Sequence, residues 1–323
     1  MLNRRALLCF GLAAFAAAAM LHSPAAAAPS EIRVDFATYN PVSLVLKERK
    51  ILEKAFEKDG ISIRWVQSLG SNKALEFLNA SSIDFGSTAG AAALIAKING
   101  NPIKSIYVYS RPEWTALVTR KDTGIAKVAE LKGKRVAVTR GTDPHIFLVR
   151  ALAEAGLTEK DVKLVLLQHA DGRLALERGD VDAWAGLDPM MASAEIEGGA
   201  VLFYRKPEAN TWGILNVRES FAQENPEIVK RVLAAYEEAR AWALANPDEL
   251  KKIFIGLTKL PDSVVERQLA TRTELTHSAI GAPQRDSILA AGLALQQAGV
   301  LPSDADVKAA VDKLIDPSYL AAK

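Results

Sequence analysis

Short β-rich runs alternate with helix-patterned stretches through the first two-thirds of this chain, and the alternation stops once and then begins again. Residues 32–37, 61–66, 83–85 and 106–109 read as one set of strands, and 116–119, 135–139, 162–167, 181–185 and 201–204 as a second. Helices lie between them. Asn40-Pro41 opens the first, with Asn as the cap and Pro at the first helical position. Leu44, Ile51, Leu52, Ala55 and Phe56 then hold one apolar face as far as Gly60. Further helices are predicted over 72–79, 91–98, 144–155 and 172–178. Such alternation calls for a parallel sheet covered on both faces, so the expected class is α/β, in two lobes. After Pro207 the texture changes to helices over 226–245, 247–257, 261–273, 284–298 and 303–314, a helical tail.

An internal echo supports two similar lobes. Leu78-Asn79 ahead of Ile83-Asp84-Phe85-Gly86 matches Leu176-Glu177 ahead of Val181-Asp182-Ala183-Trp184 at a constant offset of 98 residues. In both, a helix end feeds a strand, and the aspartate is best read as satisfying nearby backbone amides. The expected division is a leader over 1–27, a first lobe of 31–109 plus 206–323, and a second lobe of 110–205.

The leader is read from charge and hydropathy. Arg4 and Arg5 are the only charges before Glu31, Ala6 to Met20 is apolar, and Ala25-x-Ala27 offers a small-x-small cleavage site. That is a secretory signal, too short for the roughly 20 apolar residues of a spanning helix. The arginine pair leaves the general and twin-arginine routes both open. Cys9 is the only cysteine and falls inside the leader, so the exported chain has no disulfide, cysteine nucleophile or thiolate metal site. Without Arg4 and Arg5, basic and acidic residues balance at 38 each, which lacks the basic footprint of a nucleic-acid binder.

Chemistry is expected at the strand-to-helix turns: Asn40-Pro41, Gly70-Ser71-Asn72, Gly86 to Gly90 with Ser87 and Thr88, Gly141-Thr142-Asp143-Pro144, and Asp171-Gly172. Helix N-termini expose unpaired amides and a partial positive charge, which suits an anion. Ligands of open α/β sheets bind at the strand carboxyl ends. Each turn taken alone is also explained by Ser, Thr, Asn or Asp capping its own helix. Trp114, Trp184 and Trp212 either cover a ligand's carbon skeleton or pack the core and hinge, and Arg140 either supplies charge or points to solvent. Catalytic motifs are missing: the exported chain has three histidines, His145, His169 and His277, and no Gly-x-Ser-x-Gly elbow, phosphate loop or dinucleotide fingerprint. His169 and Asp171 would make a metal pair without a third ligand, and a polar loop before a helix explains both residues more simply.

An ordered set of motifs carries a resemblance. It comprises Gly70-Ser71 before Leu75, Ser82-Ile83-Asp84-Phe85-Gly86, Glu130-Leu131-Lys132-Gly133-Lys134-Arg135-Val136-Ala137 and Val149-Arg150-Ala151-Leu152. Glu177 through Trp184 and Asp188-Pro189 complete it. From about Arg33 to Pro247 the chain resembles the periplasmic binding proteins of aliphatic sulfonate, taurine and nitrate ABC importers, nearest the aliphatic-sulfonate branch. The resemblance implies a type II periplasmic-binding fold, in which two lobes joined by two hinge strands close on a ligand. It implies no catalysis and no cofactor, a small anionic solute and a membrane permease as partners, no nucleic acid, and action as a monomer. Carried over, the ligand turns are Tyr39-Asn40, Gly70-Ser71, Ser87-Thr88, Gly141-Thr142, Asp171 and Asp188. The chain departs from the branch at two places: Gly141-Thr142-Asp143 stands for Gly-Ser-Asn, and Leu187-Asp188-Pro189-Met190 for Trp-Asp-Pro-Tyr. Taurine, nitrate, a sulfate ester or a pyrimidine remain alternative ligands. An enzyme on the same fold, such as a pyrimidine-precursor synthase, is the rival of another class.

Overall fold

The computed structural model describes residues 29–320; the leader expected over 1–27 lies outside the described residues. Among the described residues, ten strands form two five-stranded sheets. The first contains β1 (Glu31–Phe36), β2 (Ser62–Gln67), β3 (Phe85–Ala89), β4 (Ile103–Ser110) and β10 (Gly213–Arg218), in the order β2-β1-β3-β10-β4. The second contains β5 (Thr115–Thr119), β6 (Arg135–Val138), β7 (Lys163–Leu166), β8 (Ala183–Leu187) and β9 (Val201–Tyr204), in the order β7-β6-β8-β5-β9. In each, three strands run parallel and a fourth enters antiparallel between the third and the fifth. That fourth strand, β10 or β5, is the first one after a crossing between the sheets. Each crossing therefore delivers the chain into the interior of the other sheet, locking both connections into place.

The helices are α1 (Pro41–Glu48), α2 (Ile51–Phe56), α3 (Ser71–Asn79), α4 (Gly90–Ile98), α5 (Asp143–Glu154), α6 (His169–Arg178) and α7 (Met190–Ile196). The tail adds α8 (Glu219–Glu224), α9 (Pro226–Ala245), α10 (Pro247–Thr258), α11 (Asp262–Arg272), α12 (Ala282–Gln297) and α13 (Val307–Leu314). Proline at the first position of α1, α9 and α10, each behind an asparagine, starts helices where the missing N–H costs nothing. Most of the tail packs on the first sheet: α9 lies against α1 and α2, and α12 and α13 against α4. Phe56, Phe85, Tyr107, Tyr109 and Tyr236 are fully buried in this first half, and Trp184 and Phe147 in the second.

The echo has a structural basis. Asp84 accepts from the Arg33 backbone N–H (2.8 Å) and pairs with the Arg33 and Arg218 guanidiniums (2.8 and 2.7 Å). Asp182 accepts from the Arg135 N–H (2.8 Å) and pairs with its guanidinium (3.1 Å). Arg33 lies in β1 and Arg135 in β6, the equivalent strand, so one device ties the start of β3 to β1 and the start of β8 to β6.

Three expectations are corrected. The single helix expected through Gly60 is two, α1 and α2, because Lys50 takes a left-handed conformation (φ 53°) between them. The loop expected over Gly86 to Gly90 is instead the buried strand β3 running directly into α4 at Gly90, so Ser87 and Thr88 lie in a sheet and not in a turn. Strand β10 was hidden because it is buried on both faces and carries Asn216 at its centre, which gives neither alternation nor an apolar run. Asn216 is held by Ser105 (2.6 Å) and Thr88 (2.8 Å).

Candidate functional site

Some of the expected ligand groups are consumed by the protein. Asn40 caps α1 by accepting from the Ser43 N–H (3.2 Å), and its amide donates to Ser87 Oγ (2.8 Å). Ser87 donates to Asp35 Oδ1 (2.8 Å), and Tyr39 Oη donates to the Ser87 carbonyl (3.1 Å). Thr88 Oγ1 accepts from Asn216, and the Thr88 carbonyl accepts from Tyr109 Oη (3.2 Å). Ser71 Oγ accepts from the Ala89 N–H (3.0 Å). These groups form a buried polar floor under the first lobe, and burial pushes the Asp35 carboxyl up to about 6.

A second hub joins the lobes. Asp143, at the start of α5, accepts from Trp114 Nε1 (2.8 Å), from the Thr211 N–H (3.1 Å) and from Thr211 Oγ1 (2.6 Å). Trp114 follows one crossing and Thr211 ends the other, so both connections meet at one carboxylate. The Thr211 hydroxyl also accepts from the Ala91 N–H (3.0 Å), and its carbonyl takes the Gly90 N–H (3.0 Å). The N-terminus of α4 is thereby occupied. Asp143, an awkward carboxylate for an anion site, is turned into the hinge, and burial raises its pKa against those three donors. Trp114 packs edge-on against Tyr39 with ring centres 6.0 Å apart, and Leu187 joins the same cluster.

The starts of α3, α5 and α6 lie close together. No side chain caps any of the three. Gly70, ahead of α3, lies against His169 at the start of α6: a Cβ on Gly70 would meet Asn72 Oδ1 at 2.8 Å and His169 Nε2 at 3.1 Å. A Cβ on Gly141, one residue before the α5 cap, would meet Asn72 Cβ at 3.8 Å. Residues of both lobes thus converge where three sets of helix amides are free of side-chain caps, the arrangement that holds an anion without a dedicated cation. Asn72 Oδ1, Gln168 Oε1 and both ring nitrogens of His169 are buried without hydrogen-bond partners. Trp184 Nε1 is also unpartnered and lies against the first turn of α6, 2.7 Å from where a Gly172 Cβ would stand.

The structure brings Gly70, Ser71 and Gly141 to this junction, with Trp184 under the adjoining turn. Thr142 is buried, and its hydroxyl donates to the Thr139 carbonyl (2.6 Å). Arg140 points to solvent, 3.8 Å from Glu159, and Asp171 is exposed in the first turn of α6 instead of in a loop before it. Asp188 is buried; it caps α7 through the Ala192 N–H (2.9 Å) and pairs with Arg272 (3.2 Å). Burial pushes its carboxyl up to about 6 although Arg272 pulls the other way. Arg272, at the end of α11, also holds Glu195 of α7 (2.5 Å), so the tail reaches across to the second lobe. Among the described residues no group of three His, Cys, Asp or Glu could hold a metal ion, and the pair His169–Asp171 gains no third ligand. Sequence reasoning missed Arg272 and Thr211. Their partners lie 68 to 120 residues away, and only the odd placement of Asp143 at a helix start hinted at one of them.

Comparison with known proteins places the chain. Over 260 residues it is 29% identical to a protein of Escherichia coli (strain K12) named as a candidate aliphatic sulfonates-binding protein, covering 80% of this chain and 81% of that one. Among solved structures it matches the alkanesulfonate-binding protein SsuA from Xanthomonas axonopodis pv. citri bound to MOPS, with a TM-score of 0.81 and 26% identity over 90% of this chain and 99% of the other. It also shares its fold, at 15% identity and a TM-score of 0.66, with the desulfurization enzyme DSZB, over 90% of this chain and 97% of that one. The fold is thus that of the SsuA-type binding proteins, the class expected from the motifs. The NMT1/THI5-like family model matches residues 55–250, from α2 through the second sheet to α10, and the chain belongs to that family.

Proposed function

We propose that this protein is the periplasmic solute-binding component of an ABC importer and that it captures a small organic anion, an aliphatic sulfonate in our assignment. The observation that carries the reading is the junction at Gly70, Gly141 and His169, where three uncapped helix N-termini from two lobes face one another. Amides at those ends hold the anionic head, and the two glycines let backbone approach it. The cluster of Tyr39, Trp114 and Leu187 supplies an apolar wall for the carbon chain, aliphatic where the sulfonate branch has an aromatic. The same class of ligand is named for the E. coli and X. axonopodis relatives.

In this reading the leader over 1–27 is cleaved on export, and the chain works as a monomer. The lobes rotate about the crossings next to Trp114 and Thr211, closing over the solute for a membrane permease to read. Apparent affinity is scaled by the fraction of molecules able to close. Mass spectrometry of small molecules released from protein purified natively from its own periplasm tests the assignment. A sulfonate is the expected species; a consistently recovered cation or nucleotide would overturn it. The enzyme reading is supported by the fold of DSZB alone, and sustained product release from a sulfonate or sulfinate by the pure protein would favour it.

A further inference from the structure

His169 stands at the start of α6 with its ring against Gly70 of the opposite lobe. It is 1% exposed, and neither ring nitrogen has a partner. A buried imidazole normally has at least one nitrogen satisfied, because an unmet donor or acceptor away from water is costly. An orphaned one among uncapped helix amides marks a place that a ligand completes.

We propose that His169 is a specificity-determining residue of the capture site, donating from its ring to the anionic head group and taking up a proton as the lobes close over it. The inference rests on the anion-capture reading above and deepens it. No charged side chain competes for the ring. On its own helix Asp171 is exposed, and Arg173 pairs with Glu177 (2.6 Å) and Glu197 (3.4 Å). On α7, Glu195 is held by Arg267 and Arg272. On α3, Lys73 pairs with Glu76, on β6 Arg135 pairs with Asp182, and β8 carries no ionisable group. With the ring buried as it is in the structure, burial alone lowers the His169 pKa to about 3. An anion within hydrogen-bond reach reverses that balance, because its charge favours the imidazolium. A neutral ligand cannot, so the residue selects for charge.

The two possibilities carry opposite signs of proton linkage. With the lobes open, a solvated histidine is about half protonated near pH 6.5. If the captured anion contacts the ring, binding at that pH takes up as much as about half a proton. If the ring is merely shut away neutral, binding releases about half a proton. Calorimetry of the mature protein with straight-chain alkanesulfonates, in buffers of differing ionisation enthalpy at pH 6.5, reads that sign directly. These probes do not titrate between pH 5 and 8. The expected result is proton uptake, with affinity rising on the order of fivefold from pH 7.5 to pH 5.5 for a one-unit rise above the open-state pKa. His169→Gln should remove the uptake while keeping a donor and measurable binding. Proton release, no exchange, or equal uptake in wild type and His169→Gln overturns the proposal; equal uptake would point to Asp188 or Asp35, which titrate in the same range. Should the variant fail to fold, selective 15N-histidine NMR of wild type with and without ethanesulfonate decides: one ring must become protonated on binding near neutral pH. Absence of binding by every alkanesulfonate would overturn the sulfonate assignment and this inference together, whereas binding with the wrong sign overturns only this inference.

Discussion

Replacing Asp35 with Asn removes a buried charge from beneath the first-lobe wall of the site. Asp35 is fully buried, its Oδ1 accepts from the Ser87 N–H (2.9 Å) and hydroxyl (2.8 Å), and its Oδ2 has no partner. Burial outweighs those donors and the more distant Ser68 hydroxyl, raising the carboxyl from 3.8 to about 6. The native state therefore holds this proton more tightly than the unfolded chain does. The stabilisation from Asp35 is complete below about pH 3.8 and is lost as pH rises through about 6. At ~1.4 kcal/mol per pKa unit the loss amounts to ~3 kcal/mol by pH 8. Asparagine keeps an acceptor for Ser87 and does not titrate. Urea unfolding followed by tryptophan fluorescence at pH 4 and pH 8 should then show the variant gaining up to ~3 kcal/mol on wild type between the two. A variant that is less stable at pH 8, by a margin unchanged at pH 4, would refute the reasoning, because it would mean the ionised carboxylate is satisfied where it lies.

Gly70→Ala puts a methyl 2.8 Å from Asn72 Oδ1 and 3.1 Å from His169 Nε2. Overpacking of this kind costs about 1–3 kcal/mol, and if the cost falls on lobe closure, affinity drops roughly 5- to 150-fold with the melting temperature little changed. Calorimetry beside a thermal melt checks both. Arg272→Met leaves Asp188 and Glu195 without their shared partner, and a broken buried pair costs about 3–5 kcal/mol. The penalty should shrink toward pH 5, where Asp188 takes up a proton, and thermal melts across pH read it. Trp114→Phe removes one of three donors to Asp143, costing about 1–3 kcal/mol through an underserved buried carboxylate. The same substitution should diminish any fluorescence change on ligand addition.

Much of the fold was legible because its elements obey local rules. The Asn-Pro starts at Pro41, Pro226 and Pro247 and the Asp84 and Asp182 echo all act within a few residues or a fixed offset. What stayed hidden depended on distant partners. β10 has no readable period because it lies inside the sheet with α3, α4 and α8 packed on it, which buries both faces. Ser87 and Thr88 look like a polar turn until Asp35, Asn40 and Asn216, far off in the chain, absorb their hydroxyls. The candidate site was half legible. The glycines at 70 and 141 were found from helix-start chemistry, but His169 read as a plain loop residue. Only the approach of α3 to α6 reveals its buried, unpartnered ring.

The central claim is that two lobes close on an organic anion at the start of α3, α5 and α6. Titration of the mature protein with ethane- to octanesulfonate, taurine, nitrate and sulfate, read by calorimetry and tryptophan fluorescence, tests it most directly. The account predicts saturable one-to-one binding of at least one alkanesulfonate, tighter than for sulfate, and weakened in Gly70→Ala. No saturable binding of any of these anions by folded protein would contradict it.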